Sequence, residues 1–311
     1  MIAMTGYNGF VGIQLISSLP IDNCILLGRE SSHKGQKVTL NLEATNGSDL
    51  IEPLKQVKVL IHLAARVHVM DDLSNNPLLE FRSVNTQGTL NLARQAAQAG
   101  VKRFIFLSSI KVNGESTSNR CMFSAYDERL PEDPYAISKS EAEELLLALG
   151  KETGMEIVII RPPLVYGEGV KANFASLMKL VGKGFPVPFR RFKNNKRSLV
   201  SVYNLIDLIK VCMDHPKAAN EVFLVSDDDD LSTAEIVALM AKVQNIKNLA
   251  LPIPIWCFKL AGKVLNKNSE IDRLTGSLQI DISHTKETLN WQPPYSVEHG
   301  FKKAAQAMLL E

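Results

Sequence analysis

The chain has 311 residues, 45% hydrophobic and 22% charged, and its 35 Lys and Arg against 33 Asp and Glu leave a formal net charge of +2. This is ordinary globular composition, long enough for one large domain or two close lobes, and so small a net charge argues against nucleic acid or a membrane as the main partner. Four scattered cysteines and six histidines form no disulfide framework and no metal-ligand spacing, no signal peptide is visible and no apolar run reaches a membrane span, so a reducing cytoplasm and no metal are expected.

Taken in chain order, a short apolar stub at 2–4 enters Thr5-Gly6-Tyr7-Asn8-Gly9-Phe10-Val11-Gly12 and then Ile13, Leu15 and Ile16. This reads as strand, tight turn and helix. Gly6 allows the turn, Gly9 lets the backbone approach a pyrophosphate, and Gly12 allows close helix packing. The free N–H groups of the helix start then face the phosphates. The spacing is G-x-x-G-x-x-G rather than G-x-G-x-x-G, and an ordinary glycine-rich turn is the plainer alternative.

Further buried strands are predicted at 24–27, 57–64, 103–108 and 156–161, the last stopped by Pro162-Pro163. Helices are predicted at 86–99, ending at Gly100, and at 134–149, ending at Gly150. Short apolar strands alternating with helices predict an α/β fold: a Rossmann-type doubly wound parallel sheet, whose ligands bind beyond the carboxyl ends of the strands. After Tyr166 the pattern loosens. A strand at 198–202, a helix at 205–213 and a capping box opening a helix at 232–243 predict a smaller C-terminal α/β lobe that returns to the main sheet. The expected division is 1–165 for the dinucleotide-binding domain, its sheet completed by about 198–225, and 166–311 mainly for substrate.

Three conspicuous features have plain readings. Asp227 to Asp230 are expected to form a solvated turn before a helix N-terminus. The segment 253–265, with Trp256 and Phe258, is expected to pack on the small lobe rather than lie on a membrane, since it supplies only Lys259 and Lys263 as positive charge. Trp291 reads as a packing anchor.

The chemistry points to Tyr135-Ala136-Ile137-Ser138-Lys139, downstream of Ser108-Ser109. Tyr135 and Lys139 are four apart, on one helix face. A tyrosine with a pKa near 10 needs a neighbouring positive charge to take a proton from a sugar or alcohol hydroxyl. Ser109, at the strand end, could hydrogen-bond the same hydroxyl.

With TGYNGFVG at 5–12, HLAA at 62–65, VNTQGT at 84–89, FLSSIKVNG at 106–114, DPYAISKSEAE at 133–143, RPPLVYG at 161–167, KRSLVSVYNLIDLI at 196–209 and TKETLNWQPP at 285–294, nearly the whole chain resembles the extended short-chain dehydrogenases/reductases. Within them it is most similar to the NAD-dependent epimerase/dehydratase family, among UDP-glucose 4-epimerase-like members. The resemblance implies Tyr135 as acid/base, Lys139 as its partner and ribose ligand, and Ser109 as the hydroxyl partner. It implies a dinucleotide held by Gly6, Tyr7, Asn8, Gly9, Phe10, Val11 and Gly12. Arg29, Leu42, Leu63, Ala64, Ala65, Asn85, Ser108 and Pro162 would complete that site with Tyr135 and Lys139. Arg66, Asn173, Arg197 and Arg273 would join Ser109 on a nucleotide-diphosphate sugar; for Arg197 and Arg273 a surface ion pair is the alternative. A homodimer is compatible with the resemblance.

Departures from the family pattern matter. Dehydratase members carry Thr-Asp-Glu where this chain has Ser109-Ile110-Lys111, which argues against water elimination. The usual Val-Tyr-Gly is Val112-Asn113-Gly114, and Leu164 stands near a position often held by asparagine. At the end of the second strand an acidic residue would favour NAD, but Leu27-Gly28-Arg29-Glu30-Ser31-Ser32 offers glycine and arginine, so NAD and NADP both stay open. The reading is a nucleotide-sugar 4-epimerase of UDP-glucose or UDP-N-acetylhexosamine type. An NADPH-dependent reductase of a nucleotide 4-keto sugar is the alternative, and a non-catalytic dinucleotide-binding regulator a more distant one.

Overall fold

A computed structural model describes residues 1–29, 36–43, 49–67, 76–264 and 268–308. Seven parallel strands form the main sheet: β1 (Ile2–Thr5), β2 (Cys24–Gly28), β3 (Gln36–Thr39), β4 (Val59–His62), β5 (Arg103–Leu107), β6 (Glu156–Arg161) and β9 (Val222–Leu224). Their spatial order is β3-β2-β1-β4-β5-β6-β9. A separate pair, β7 (Leu164–Tyr166) and β8 (Leu199–Ser201), is also parallel, in the register Leu164 to Leu199 and Tyr166 to Ser201. The helices are α1 (Phe10–Ser17), α2 (Ile51–Leu54), α3 (Pro77–Phe81), α4 (Thr89–Gln98), α5 (Pro134–Thr153), α6 (Ala172–Gly182), α7 (Val202–Asp214), α8 (Thr233–Val243), α9 (Ile255–Val264), α10 (Asn268–Thr275), α11 (Ser283–Leu289) and α12 (Val297–Met308).

The sheet is doubly wound because alternate residues of each strand feed opposite layers. Met4, Leu26, Ile61, Ile105 and Val158 meet Leu205, Leu208 and Ile209 of α7. Ala3, Ile25, Leu60, Phe104 and Ile157 meet Leu92 and Ala96 of α4 and Ala142 and Leu146 of α5. A third core joins Tyr166, Phe174, Met178, Val237, Met240 and Phe301. The strand order reverses between β1 and β4, and the crevice there opens at Thr5-Gly6 and His62-Leu63.

Some sequence expectations need correction. The helix from 134 does not end at Gly150. It runs to Thr153 and is capped by Gly154 at φ +77°. A Cβ at Gly150 would lie 2.7 Å from Ile157 Cγ1, so that glycine serves the approach of β6. The helix predicted at 86–99 starts as α4 only at Thr89, after a π-helical stretch Arg82–Gly88. The predicted strand at 198–202 supplies β8, which pairs with β7, while β9 is the strand that joins the main sheet.

The expectation of a solvated turn at 227–230 holds for Asp228 and Asp229, which are exposed, but not for Asp227. Asp227 is buried and accepts hydrogen bonds from the Tyr166 hydroxyl (2.5 Å), the Ser201 N–H (2.8 Å) and Asn204 Nδ2 (2.7 Å). Burial raises its pKa, against the pull of these donors. Asp228 pairs with Lys286, and Asp230 accepts from the Ser198 hydroxyl and Gln279 Nε2. Trp291 is the anchor expected: it is buried and donates from Nε1 to Asp207 Oδ2 at 2.7 Å.

Candidate active site

The glycine turn is built as a cradle. Gly6 takes φ +68°, and a Cβ there would lie 2.6 Å from the Ala64 nitrogen, so the β1 and β4 loops touch through a glycine. A Cβ at Gly12 would fall 2.1 Å from the Gly6 carbonyl oxygen, which locks the first turn of α1 onto the β1 loop. Helix α1 begins at Gly9 with no side-chain cap and no acidic residue in its first turn, leaving its N-terminal N–H groups for an anion. Phe10 and Val11 are half-buried there, and Asn8 is exposed. This shape fits a dinucleotide pyrophosphate.

Gly28 has a packing cause. A Cβ on it would meet the Tyr7 ring at 2.8 Å, and Tyr7 is buried. The ring occupies the space a Cβ at 28 would enter, which gives the glycine a packing reason independent of the cofactor. Arg29 follows, exposed. Glu30, Ser31 and Ser32 lie outside the described residues.

The second wall is 63–66. His62, fully buried, hydrogen-bonds Thr5 Oγ1 (2.6 Å) and Thr89 Oγ1 (2.9 Å), and Thr5 Oγ1 also accepts the Ala64 N–H (3.1 Å). Burial, aided by the Lys139 charge, pushes the His62 pKa down to about 3, so it is neutral. Asn85, on the π-helical stretch, clamps the loop: Oδ1 accepts the Arg66 N–H (2.8 Å), and Nδ2 donates to the Arg66 carbonyl and to Ser138 Oγ (both 3.0 Å). Leu63, Ala64 and Ala65 are held half-buried by this clamp, and Leu42 lies against Gly88. The Arg66 guanidinium sits 5.8 Å from the Phe81 ring centroid, and that ring meets Tyr135 edge-on at 6.1 Å.

The acid/base set comes from β5 and α5. Asp133 caps α5, accepting the Ala136 N–H at 2.7 Å, and Pro134 opens the helix. Tyr135, Lys139 and Glu143 then fall at i, i+4 and i+8. The Ser109 hydroxyl hydrogen-bonds the Tyr135 phenol. Burial foremost, with the Asp133 charge behind it, pushes the phenol up to about 12, against the Ser109 bond. Lys139 is 2% exposed, donates to the Leu107 carbonyl at 2.9 Å, and lies 4.3 Å from the Phe106 ring centroid. Burial pushes it down to about 7, with Glu143 pulling the other way.

Behind this layer Glu143 receives Arg161 through Nε (2.9 Å) and Nη2 (2.5 Å) and the Ser108 hydroxyl (2.5 Å). Arg161 also donates to Asn113 Oδ1 at 2.9 Å. The Pro162 carbonyl accepts the Ile110 N–H at 2.9 Å, joining the β5 and β6 ends. Sequence reasoning missed His62, Phe81, Glu143 and Arg161. Of these, Glu143 had a visible signal, one further helical step beyond Tyr135 and Lys139.

A cavity of about 640 Å³ is lined by Glu115, Ser116, Arg197, Asp272, Thr275 and Gly276, among others. Arg197 donates to the Gly276 carbonyl at 3.4 Å. Lys111, standing where dehydratases carry an acid, pairs instead with Asp133 and with Glu115 at 2.9 Å. Burial tends to raise the Asp133 pKa, but Lys111 and the Ala136 N–H prevail and hold it low. Asn173 is exposed near the start of α6, and the Arg273 side chain lies outside the described residues. Among the described residues no group of three or more His, Cys, Asp or Glu could hold a metal ion.

A glycine cradle at the switch point of a parallel sheet, faced by a Ser-Tyr-Lys set at the ends of β5 and α5, defines a short-chain dehydrogenase/reductase-like dinucleotide fold. Residues 2–226 match the NAD dependent epimerase/dehydratase family, and the chain belongs to it. It is 55% identical to a UDP-glucose 4-epimerase of Vibrio cholerae, covering 99% of this chain and 95% of that protein. It is 28% identical to the N-acetyl-alpha-D-glucosaminyl-diphospho-ditrans,octacis-undecaprenol 4-epimerase of Escherichia coli O157:H7, covering 98% and 94%. A solved structure of MoeE5 in complex with UDP-glucose and NAD superposes with a TM-score of 0.78 at 20% identity, covering 99% and 98%.

Proposed function

We propose that this protein is an NAD-dependent nucleotide-sugar 4-epimerase, acting on a UDP-hexose or UDP-N-acetylhexosamine. The observation that carries the reading is the Ser109–Tyr135–Lys139 set beside the glycine cradle, with Lys111 in place of the dehydratase acid. Gly6, Gly9 and Gly12 with the α1 N-terminus would hold the pyrophosphate, Asn85 the 63–66 wall, and Lys139 a ribose. NAD, when bound there, would supply the hydride acceptor and donor for the sugar C4. The chain's own residues manage the proton. Tyr135 Oη takes it from the C4 hydroxyl and gives it back, Ser109 orients that hydroxyl, and the Lys139 ammonium stabilises the phenolate. A phenol held near 12 needs that positive charge to act at neutral pH.

Arg197 and the cavity beside it would take the diphosphate and its carrier. The division into a dinucleotide domain at 1–165 and a mainly substrate-binding lobe at 166–311 follows the same reading, as does action in the cytoplasm. The Tyr7 ring against Gly28 gives the missing acid a packing reason, which leaves Arg29 as the remaining support for a 2′-phosphate site and an NADPH-dependent 4-keto reductase. The test incubates the protein with UDP-glucose, with UDP-N-acetylglucosamine and with a UDP-4-keto sugar plus NADPH, following configuration by NMR and cofactor by absorbance. Gluco–galacto interconversion with no consumption of added cofactor is expected. NADPH oxidation with the keto sugar and no epimerisation of either hydroxy sugar would refute the proposal.

A further inference from the structure

The net charge of +2 conceals a segregation. Residues 169–206 and 236–269 together hold thirteen Lys and Arg and no Asp or Glu, leaving 22 basic against 33 acidic residues elsewhere. The fold brings these two stretches together. The Leu251 N–H donates to the Val187 carbonyl (2.7 Å) and the Arg190 N–H to the Leu251 carbonyl (3.1 Å). Helix α9 then seats Phe258 against Phe189 and Phe192, with ring centroids 6.0 and 4.8 Å apart. The inward side of α9 is thus satisfied as the sequence suggested.

The outward side is not. Trp256 is 66% exposed and Leu260 56%, and from the adjoining segments Phe185, Leu249 and Leu251 are exposed with them. Lys183, Arg190, Arg191, Lys193, Lys247 and Lys263 are exposed in the same segments. None of the six joins an ion pair among the described residues. The acidic residues that border the two stretches in sequence are Glu168, Asp207, Glu235 and Glu270; of these Glu235 pairs with Lys196, Glu168 accepts from the Tyr203 hydroxyl and Asp207 from Trp291 Nε1. The segment 253–265 itself supplies only Lys259 and Lys263, as expected, and the further cations of this face come from 183–193 and 247, remote in sequence.

We propose that this face docks on the surface of an anionic lipid bilayer. Aliphatic side chains and an exposed tryptophan suit the headgroup–acyl boundary, and the surrounding cations suit anionic headgroups. A polynucleotide would use the charge but gain little from Leu249, Leu251 and Leu260. Ile255, at the start of α9, lines the cavity described above, so the docking face adjoins that cavity.

The chain has two tryptophans, and Trp291 is buried, so Trp256 reports on this face. The full chain would be sedimented with phosphatidylcholine vesicles containing or lacking phosphatidylglycerol, and Trp256 followed with brominated lipid as quencher. Binding to the anionic vesicles alone, weakened by salt, with Trp256 quenched and the quenching lost in Trp256→Phe, is expected. Arg190→Ala/Arg191→Ala should weaken partitioning by on the order of thirtyfold. Turnover of a soluble UDP-sugar by that variant should be unchanged, which separates this result from a folding defect and from any failure of the epimerase assignment. Equal binding to neutral vesicles, no binding at all, or binding that leaves Trp256 unquenched would each overturn the proposal. So would a single-stranded oligonucleotide that shields Trp256 when vesicles do not, or self-association that buries it without lipid.

Discussion

His62 offers a direct measure of how tightly the β1–β4 crevice is built. Its imidazole is fully buried, hydrogen-bonded at both nitrogens by Thr5 and Thr89, stacked on Phe106 at 5.8 Å, and repelled by the Lys139 charge. The folded protein therefore refuses a proton until about pH 3, while the unfolded chain takes it near 6.5. The unfolded state binds the extra proton between those values, so stability contributed by neutral His62 is complete above pH 6.5 and is lost as pH falls toward 3. The slope is about 1.4 kcal/mol per pH unit. At pH 5 about 2 kcal/mol is gone, a large share of a typical 5–15 kcal/mol. Urea unfolding followed by circular dichroism at pH 7, 6 and 5 reads this out, with His62→Gln as the reference. The amide keeps a donor and an acceptor but cannot titrate. The variant should be less stable at pH 7 by about 1–2 kcal/mol for an imperfect hydrogen-bond fit, yet lose less between pH 7 and 5. Titration of other groups is common to both proteins and cancels in the difference. Parallel losses in wild type and His62→Gln would show that the imidazole does not resist protonation and that the reasoning is wrong.

Three further outcomes follow from the site. Tyr135→Phe should lower turnover by about 10²–10⁴-fold while leaving NAD binding near normal, measured by steady-state kinetics beside a cofactor titration. Gly12→Ala places a methyl 2.1 Å from the Gly6 carbonyl oxygen, where only backbone can yield, and NAD affinity by calorimetry should fall roughly tenfold or more. Arg29→Ala should change NAD and NADP affinities by the same factor, since an NAD site makes no use of a 2′-phosphate; a selective loss of NADP binding would restore the reductase reading.

The parallel sheet and the order of its motifs were legible because they rest on local signals: apolar runs of strand length, glycines at a turn, and a tyrosine and lysine one helical turn apart. What stayed hidden was set by tertiary contacts. Gly150 and Gly154 look alike as helix caps, and the approach of Ile157 decides between them. Asp227 reads as solvent-exposed until Tyr166, Ser201 and Asn204 are brought to it from 23 to 61 residues away. The glycine at 28 looked like a statement about the cofactor, and the Tyr7 ring beside it gives it a packing reason that no local pattern reveals. Net charge averaged away the basic face around α9, because its cations are contributed by separate segments.

The π-helical stretch at Arg82–Gly88 carries Asn85, whose side chain spans the Arg66 backbone and Ser138. A π turn holds one residue more than an α turn. Loss of a single codon there would restore α-helical winding and swing the carboxamide away from the 63–66 loop, with α3 and α4 still free to remain helices. The clamp on one wall of the crevice is thus one insertion deep in the gene.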